Sequence, residues 1–320
     1  MSQTFALPAE PEWVTVNPGG VALAKVLPEE GKEASLTTLA LNDPDATART
    51  WAAFAFLAPL REGKTITKEA EATLAQMLRQ DPSPYVRSAI AGNLQTLKTR
   101  WLPDDLGAAL ASLGKDVLTG PFEKSAQFAK DPQGWRQWRA ELAGTLGKVN
   151  RPEILPLLAG TLGRENVGLD DLGKAATSVA RLGHEKSAEI LKTTMKLHGP
   201  RGYRYRFAVQ MAFGALATPA AAQEIREMAK TSGSDLLGRI GWMVRDNQVL
   251  VESAEWASFL KDFILDDNKF GDEVKARVLN TLEEVKTRPA RGTLEAIVQQ
   301  SSSDRLREAS KKILTKNFAT

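Results

Sequence analysis

Apolar residues in this chain recur at steps of three and four, and small residues fill the gaps between the large ones. From 81 to 97, Ala89, Ile90, Asn93, Leu94 and Leu97 fall on one helical face. The turn Asp81-Pro-Ser-Pro precedes them, and Arg87 follows in the first turn of the helix. The same order occurs earlier. Asp43-Pro-Asp-Ala-Thr-Ala-Arg49 opens a segment in which Ala alternates with Trp, Phe and Leu as far as Leu57. Asp43 and Asp81 suit the starts of helices, and a proline suits a first turn. An apolar helix precedes each segment, so the unit that repeats is a pair of helices.

Extended along the chain, this pattern predicts helices near 32–41, 47–58, 67–79 and 85–98, then an odd one at 103–113. Others follow near 122–130, 135–146, 152–162, 169–182, 185–197 and 203–216. The last are expected near 219–230, 236–245, 254–265, 273–285, 289–300 and 304–317. Gly147, Gly163, Gly183 and Gly199 recur at helix-length spacing and suit left-handed caps. Residues 1–30 read differently. Trp13-Val-Thr-Val16 alternates like a strand, Asn17-Pro-Gly-Gly20 is a turn, and Val21 to Leu27 is a second extended segment. The expected organisation is a β-rich or extended segment over 1–30 and a helical repeat domain over 31–320.

Stacked helix pairs of this kind define the expected fold class. It is all-α, a HEAT/armadillo-like α-α superhelix (a solenoid), with a short β-rich N-terminal segment. Each pair leaves an apolar face for the next to cover, so the core is expected to be continuous, without one central cavity.

Composition removes several chemistries. No cysteine is present, which excludes disulfides, thiolate catalysis and Cys-ligated metals. The 42 basic and 39 acidic residues leave a net charge of +3, so nucleic-acid binding would need the cations gathered on one surface. There is no His-Glu-x-x-His, no phosphate-binding Gly-Lys loop, no Gly-x-Gly-x-x-Gly and no Gly-x-Ser-x-Gly. His184 and His198 lie near opposite ends of one expected helix, too far apart to share a metal. The paired carboxylates Asp104 and Asp105, Asp170 and Asp171, and Asp266 and Asp267 sit at helix edges, the first two pairs where capping explains them. No metal, cofactor or catalytic residue is expected. No apolar stretch suits a membrane, and Met1 to Ala6 has no signal-peptide character, which favours a cytoplasmic location.

Three groups stand out. In Lys196-Leu-His-Gly-Pro-Arg-Gly-Tyr-Arg-Tyr-Arg206, His198, Arg201, Arg204 and Arg206 surround a bend and Tyr203 and Tyr205 are interleaved. Guanidinium forks grip carboxylate or phosphate, and tyrosine offers a stacking face. The plainer use is a solvated loop that Tyr205 and Phe207 anchor to the next helix. The second group is Trp135, Arg136, Trp138 and Arg139. Trp135 and Trp138 share a helix face, either for packing or as a platform for a peptide or a base. Arg49 and Arg87 hold equivalent repeat positions and are expected to bond carboxylates or helix-end carbonyls as a structural ladder.

Pro11-Glu-Trp-Val-Thr-Val-Asn-Pro-Gly-Gly20 followed by helical repeats resembles the end of bacterial M1-family aminopeptidases. There a β-rich segment precedes a C-terminal HEAT-like helical domain. The family's zinc motif and its Gly-x-Met-Glu-Asn motif are both absent, so no catalytic residue carries over. The resemblance implies an accessory role, with a metallopeptidase catalytic domain as a partner and contacts to peptide substrates. The expected function is a non-catalytic scaffold that binds a protein or peptide. The alternative is a HEAT-like DNA-binding or DNA-repair protein. An enzyme within the chain would need perturbed carboxylates converging in a pocket.

Overall fold

The structure, a computed structural model, describes residues 33–216, 218–231, 252–266, 270–283 and 285–318. Its ordered elements are helices; no strand occurs among the described residues. The expected β-rich segment over 1–30 and the expected helix over 236–245 lie outside the described residues. The chain divides into two compact units, one up to Ser178 and one from Val179 onward.

In the first unit α1 (Glu33–Asn42), α3 (Lys68–Gln80), α5 (Asp104–Thr119) and α8 (Ile154–Leu162) pack each on the next. A second layer holds α2 (Ala46–Arg61), α4 (Pro84–Thr96) and α7 (Pro132–Thr145), again each against the next. The layers join through α1 with α2, α3 with α4 and α5 with α7. The short α6 (Ala126–Lys130) precedes α7. Leu57, Leu74, Ile90, Leu94, Leu106, Trp138 and Leu158 lie in the interior between the layers.

Small residues let the second layer close up. The Thr145 hydroxyl donates to the Ala91 carbonyl across the α4–α7 contact at 2.9 Å. The Ser178 hydroxyl, on α9 (Leu169–Leu182), donates to the carbonyls of Ala143 (2.7 Å) and Gly144 (2.9 Å). A Cβ at Gly147 would lie 2.7 Å from the Ser178 Cα, so only glycine admits α9 there. Of the four glycines expected as left-handed caps, only Gly183 has that conformation, at φ 64°. Gly147 serves close approach, while Gly163 and Gly199 keep right-handed backbone.

The helix starts follow one polar pattern. Asp43 Oδ1 accepts the Asp45 amide and Asp81 Oδ1 accepts the Ser83 amide, both at 2.8 Å. Asp45 and Ser83 then cap α2 and α4. Arg49 Nη1 donates to the Asp43 carbonyl (2.8 Å), and Arg87 Nε donates to the Asp81 carbonyl (2.6 Å). Arg49 also forks onto Asp81, with Nε to Oδ2 at 2.7 Å and Nη2 to Oδ1 at 3.0 Å. This ties one helix pair to the next through a buried bidentate bond.

Arg87 meets no equivalent carboxylate. The next Asp-Pro, at Asp131, comes only after α5 and α6, and Asp131 Oδ1 accepts the Gly134 amide instead (2.9 Å). The Arg87 guanidinium lies 4.9 Å from the ring centre of Trp135 and 6.0 Å from that of Trp138. Burial pushes its pKa down to about 10, so it stays charged at neutral pH.

In the second unit α10 (Ser187–His198) packs on α11 (Tyr203–Ala215), and α11 on α12 (Pro219–Thr231). α13 (Ala254–Leu265) contacts α14 (Asp272–Leu279) and α15 (Arg288–Gln300), and α16 (Asp304–Phe318) packs on α14 and α15. Trp256 is fully buried and donates to Thr281 Oγ1 at 3.1 Å. Here the polar start recurs in a form the sequence disguises. In Ser301-Ser-Ser-Asp-Arg-Leu-Arg307, Ser301 Oγ accepts the Ser303 amide (3.3 Å), and Arg307 Nη1 donates to the Ser301 carbonyl (2.5 Å).

Several boundaries differ from expectation. α5 continues to Thr119 because Gly114 lies inside it; a Cβ there would come 2.8 Å from Leu146 Cδ1. The helix expected over 122–130 is a 3-10 turn, Phe122–Lys124, followed by α6. The one expected over 273–285 stops at Leu279 and continues as the 3-10 turn Asn280–Leu282.

Two stability tests follow from this packing. Arg49→Leu strands the buried Asp81 carboxylate and should cost about 3–5 kcal/mol in urea unfolding. Arg87→Leu strands no carboxylate and should cost only about 1–2 kcal/mol. In the same assay, Gly147→Ala should destabilise by about 1–3 kcal/mol. Gly160→Ala, on the exposed side of α8 with open space around it, should stabilise by about 0.5–1 kcal/mol.

Candidate functional site

The bend between α10 and α11 is built around Gly202, whose φ of 130° suits glycine. The 3-10 turn Gly199–Arg201 leads into it, and α11 starts immediately after. Arg201 is exposed but reaches back across the bend. Its Nη1 lies 3.2 Å from Nδ1 of the fully buried His198, and its Nη2 donates to the Tyr205 hydroxyl at 3.0 Å. Its guanidinium also lies 3.9 Å from the centre of the Tyr205 ring. His198, Arg201 and Tyr205 therefore form one cluster that holds the bend.

The other members face outward. Tyr203 is 45% exposed and stacks on Phe207, with ring centres 6.0 Å apart. Leu197, on the last turn of α10, is 39% exposed. Arg204 and Arg206 are exposed and make no hydrogen bond or ion pair with any described residue. Residues 190–223 contain no Asp or Glu. Lys196 and Arg201 are further exposed cations at this bend, while Lys192, one turn earlier, is paired with Glu224 at 2.5 Å. The sequence grouped six residues here, and the structure separates them. His198, Arg201 and Tyr205 build the bend, while Tyr203, Arg204 and Arg206 form its outer surface.

The tryptophan group lies elsewhere, in the first unit. Trp135 and Trp138 are buried at the α4–α7 contact beneath Arg87, and Phe122 meets the Trp135 ring edge-on at 5.8 Å. Neither indole presents a face to solvent, so packing is the use their geometry provides. Arg136 lies over the Phe128 ring at 5.6 Å. Arg139 is held between the carboxylates of Glu123 and Asp171. Burial pushes the Asp171 carboxyl above the ordinary range, against the pull of Arg139.

One polar group escaped the sequence reading. Lys174 on α9 donates to Gln95 Oε1 (3.0 Å) on α4 and to Glu141 Oε2 (2.8 Å) on α7. The Gln95 amide also donates to the Glu141 carbonyl at 2.9 Å. A Cβ at Gly144 would lie 2.5 Å from Gln95 Oε1, so glycine makes room for the network. Each residue alone looks like a solvated helix position. The only signal was a glycine within an apolar helix.

The remaining candidates have ordinary partners. His184 Nδ1 accepts the Lys186 amide at 3.1 Å, Asp105 pairs with Lys68 at 2.8 Å, and Asp171 pairs with Arg139. Among the described residues, no group of three or more His, Asp or Glu is arranged to hold a metal ion. No described helix is long and apolar enough to cross a membrane.

No family model and no curated protein matches this sequence. Among solved structures, an aminopeptidase A from Legionella pneumophila in complex with aspartic acid is similar over 90% of this chain, at 14% identity and a TM-score of 0.54. The match takes up 39% of that protein's chain. Human deoxyhypusine hydroxylase in complex with glycerol aligns over 89% of this chain and 95% of its own, at 16% identity. Its TM-score of 0.34 carries no argument. The first likeness is one of fold: a chain whose described elements are helices and which spans well under half of an aminopeptidase.

The bend predicts how the three tyrosines react with tetranitromethane. Tyr85 and Tyr203, both exposed, should be nitrated first, and Tyr205 last. Arg201→Met should bring Tyr205 close to the rate of Tyr203, read by peptide mass spectrometry. An equal rate for all three in the unaltered chain would contradict the cover that Arg201 gives the half-buried Tyr205.

Proposed function

We propose that this chain is a HEAT-like solenoid equivalent to the non-catalytic C-terminal domain of M1-type aminopeptidases, and that it acts as a scaffold holding a protein or peptide partner. The observation that carries the reading is the likeness to aminopeptidase A, which uses almost all of this chain and only 39% of the larger enzyme. The two-layer order of α1–α8 supports the solenoid, because each helix pair covers the apolar face of the one before. The Arg49–Asp81 fork supports it too, because it links consecutive pairs through the same polar start.

Binding by such a scaffold is surface complementarity. A rigid stack of helices presents preformed side chains, so little ordering cost falls on association. Aromatic and arginine anchors carry much of the energy in surfaces of this type. Chemistry on a peptide bond would come from a partner metallopeptidase catalytic domain.

Two measurements test the proposal. The chain supplied with zinc should not hydrolyse aminoacyl aminomethylcoumarins. Used as an immobilised bait in extract of its source organism, it should recover a metallopeptidase catalytic chain identified by mass spectrometry. Hydrolysis by the chain alone would overturn the non-catalytic reading. Salt-sensitive recovery of nucleic acid without protein would favour a DNA-binding role.

A further inference from the structure

Several cations in the described structure are held by partners within the chain. Arg49 forks onto Asp81, Arg139 is clasped by Glu123 and Asp171, and Lys174 is bonded to Gln95 and Glu141. At the α10–α11 bend the exposed Arg201 is bonded to His198 and Tyr205. Arg204 and Arg206, on the first turn of α11, have no such partner among the described residues. The lack of any carboxylate from 190 to 223 leaves them without a local counter-charge in sequence.

Apolar surface is exposed at the same corner. Among the described residues three large hydrophobic side chains are exposed: Tyr85, Leu197 and Tyr203. Two of them, Leu197 and Tyr203, flank the bend that carries the open arginines. Exposed tyrosine beside arginine is the composition that protein interfaces favour. A guanidinium takes a carboxylate in a planar two-point contact, and the neighbouring apolar side chains can cover a hydrophobic anchor.

We infer that the outer face of the α10–α11 bend, formed by Leu197, Tyr203, Arg204 and Arg206, docks an acidic segment of a protein partner that carries an apolar side chain among its carboxylates. The inference rests on the partner-binding function proposed above and names the chemistry of the partner. Charge complementarity selects the acid, because the open side chains are cationic and the segment around them is free of acid. The exposed leucine and tyrosine select a protein segment over a nucleic acid. A phosphate backbone is followed by a long row of cations, whereas the exposed cations here, Lys196, Arg201, Arg204 and Arg206, are confined to one bend.

The test is a titration with defined probes. A short fluorescein-labelled peptide of Glu and Asp with one Leu and one Phe is titrated with the full chain by fluorescence anisotropy. Its counterpart has Gln and Asn in place of the acids. The acidic peptide should bind with a Kd on the order of 10 μM at low salt and weaken as salt rises. The double variant R204E/R206E should weaken it by at least about tenfold, and Y203A by about three- to tenfold. The charge-matched control R305E/K312E, at exposed positions on α16, should leave it unchanged. All these side chains are exposed, and circular dichroism would verify that each variant is folded.

Equal binding of the Gln/Asn peptide, or unchanged binding by R204E/R206E, would overturn the inference. So would absence of binding up to about 1 mM peptide. Tighter binding of a single-stranded oligonucleotide, lost in R204E/R206E, would put nucleic acid there instead. A dimer in size-exclusion chromatography abolished by R204E/R206E would put a second copy there. None of these outcomes changes the peptidase assay with zinc, which tests the non-catalytic reading separately.

Discussion

A guanidinium withdrawn from water must be bonded on every side, and in the first unit that requirement ties consecutive helix pairs together. Arg49 satisfies it with the Asp43 carbonyl behind and both oxygens of Asp81 ahead. Asp81 in turn positions the Ser83 amide at the start of α4. Cap, turn and ion pair are thus one connected device, and loss of Arg49 exposes its whole cost at Asp81. At Arg87 the intervening α5 and α6 remove the next carboxylate, and two indoles take its place. The tryptophans belong to this arrangement because cation and ring are buried against each other.

At the α10–α11 bend the arginines are exposed, so that requirement does not bind them. Arg201 is bonded within the bend, to His198 and Tyr205. Arg204 and Arg206 follow within one turn of helix, exposed and without a bond to that cluster. Solvation by water costs nothing while the surface is free, so the fold does not require them to pair. Their open state, beside exposed Leu197 and Tyr203, makes this corner available for association.

The likeness to an aminopeptidase, at 14% identity, is one of fold alone. Layered helices tolerate this because the packing depends on small and large residues alternating on the inner faces. The outward positions carry no such constraint. A scaffold reading therefore rests on architecture, while the chemistry of its partner is read from the side chains left open.

Much of the helix pattern was legible in the sequence, because period and caps are local properties. Helices α2, α4, α9, α10 and α11 lie within a few residues of their expected positions. The bonds of Arg49 and Arg87 to the carbonyls of Asp43 and Asp81 follow from the spacing to each Asp-Pro, which brings the side chain back over the same turn. The Ser301 to Arg307 copy was hidden because serine supplies the turn oxygen that aspartate supplies elsewhere. Only tertiary structure could separate Arg201 from Arg204 and Arg206, which sit a few residues apart with the same chemistry. Only tertiary structure could bring Gln95, Glu141 and Lys174 together from three helices, or show that Gly147 and Gly144 serve close approach and room. Sequence determines where a helix starts and which face is apolar; the neighbour across that face decides whether a charge is spent inside the fold or left for a partner.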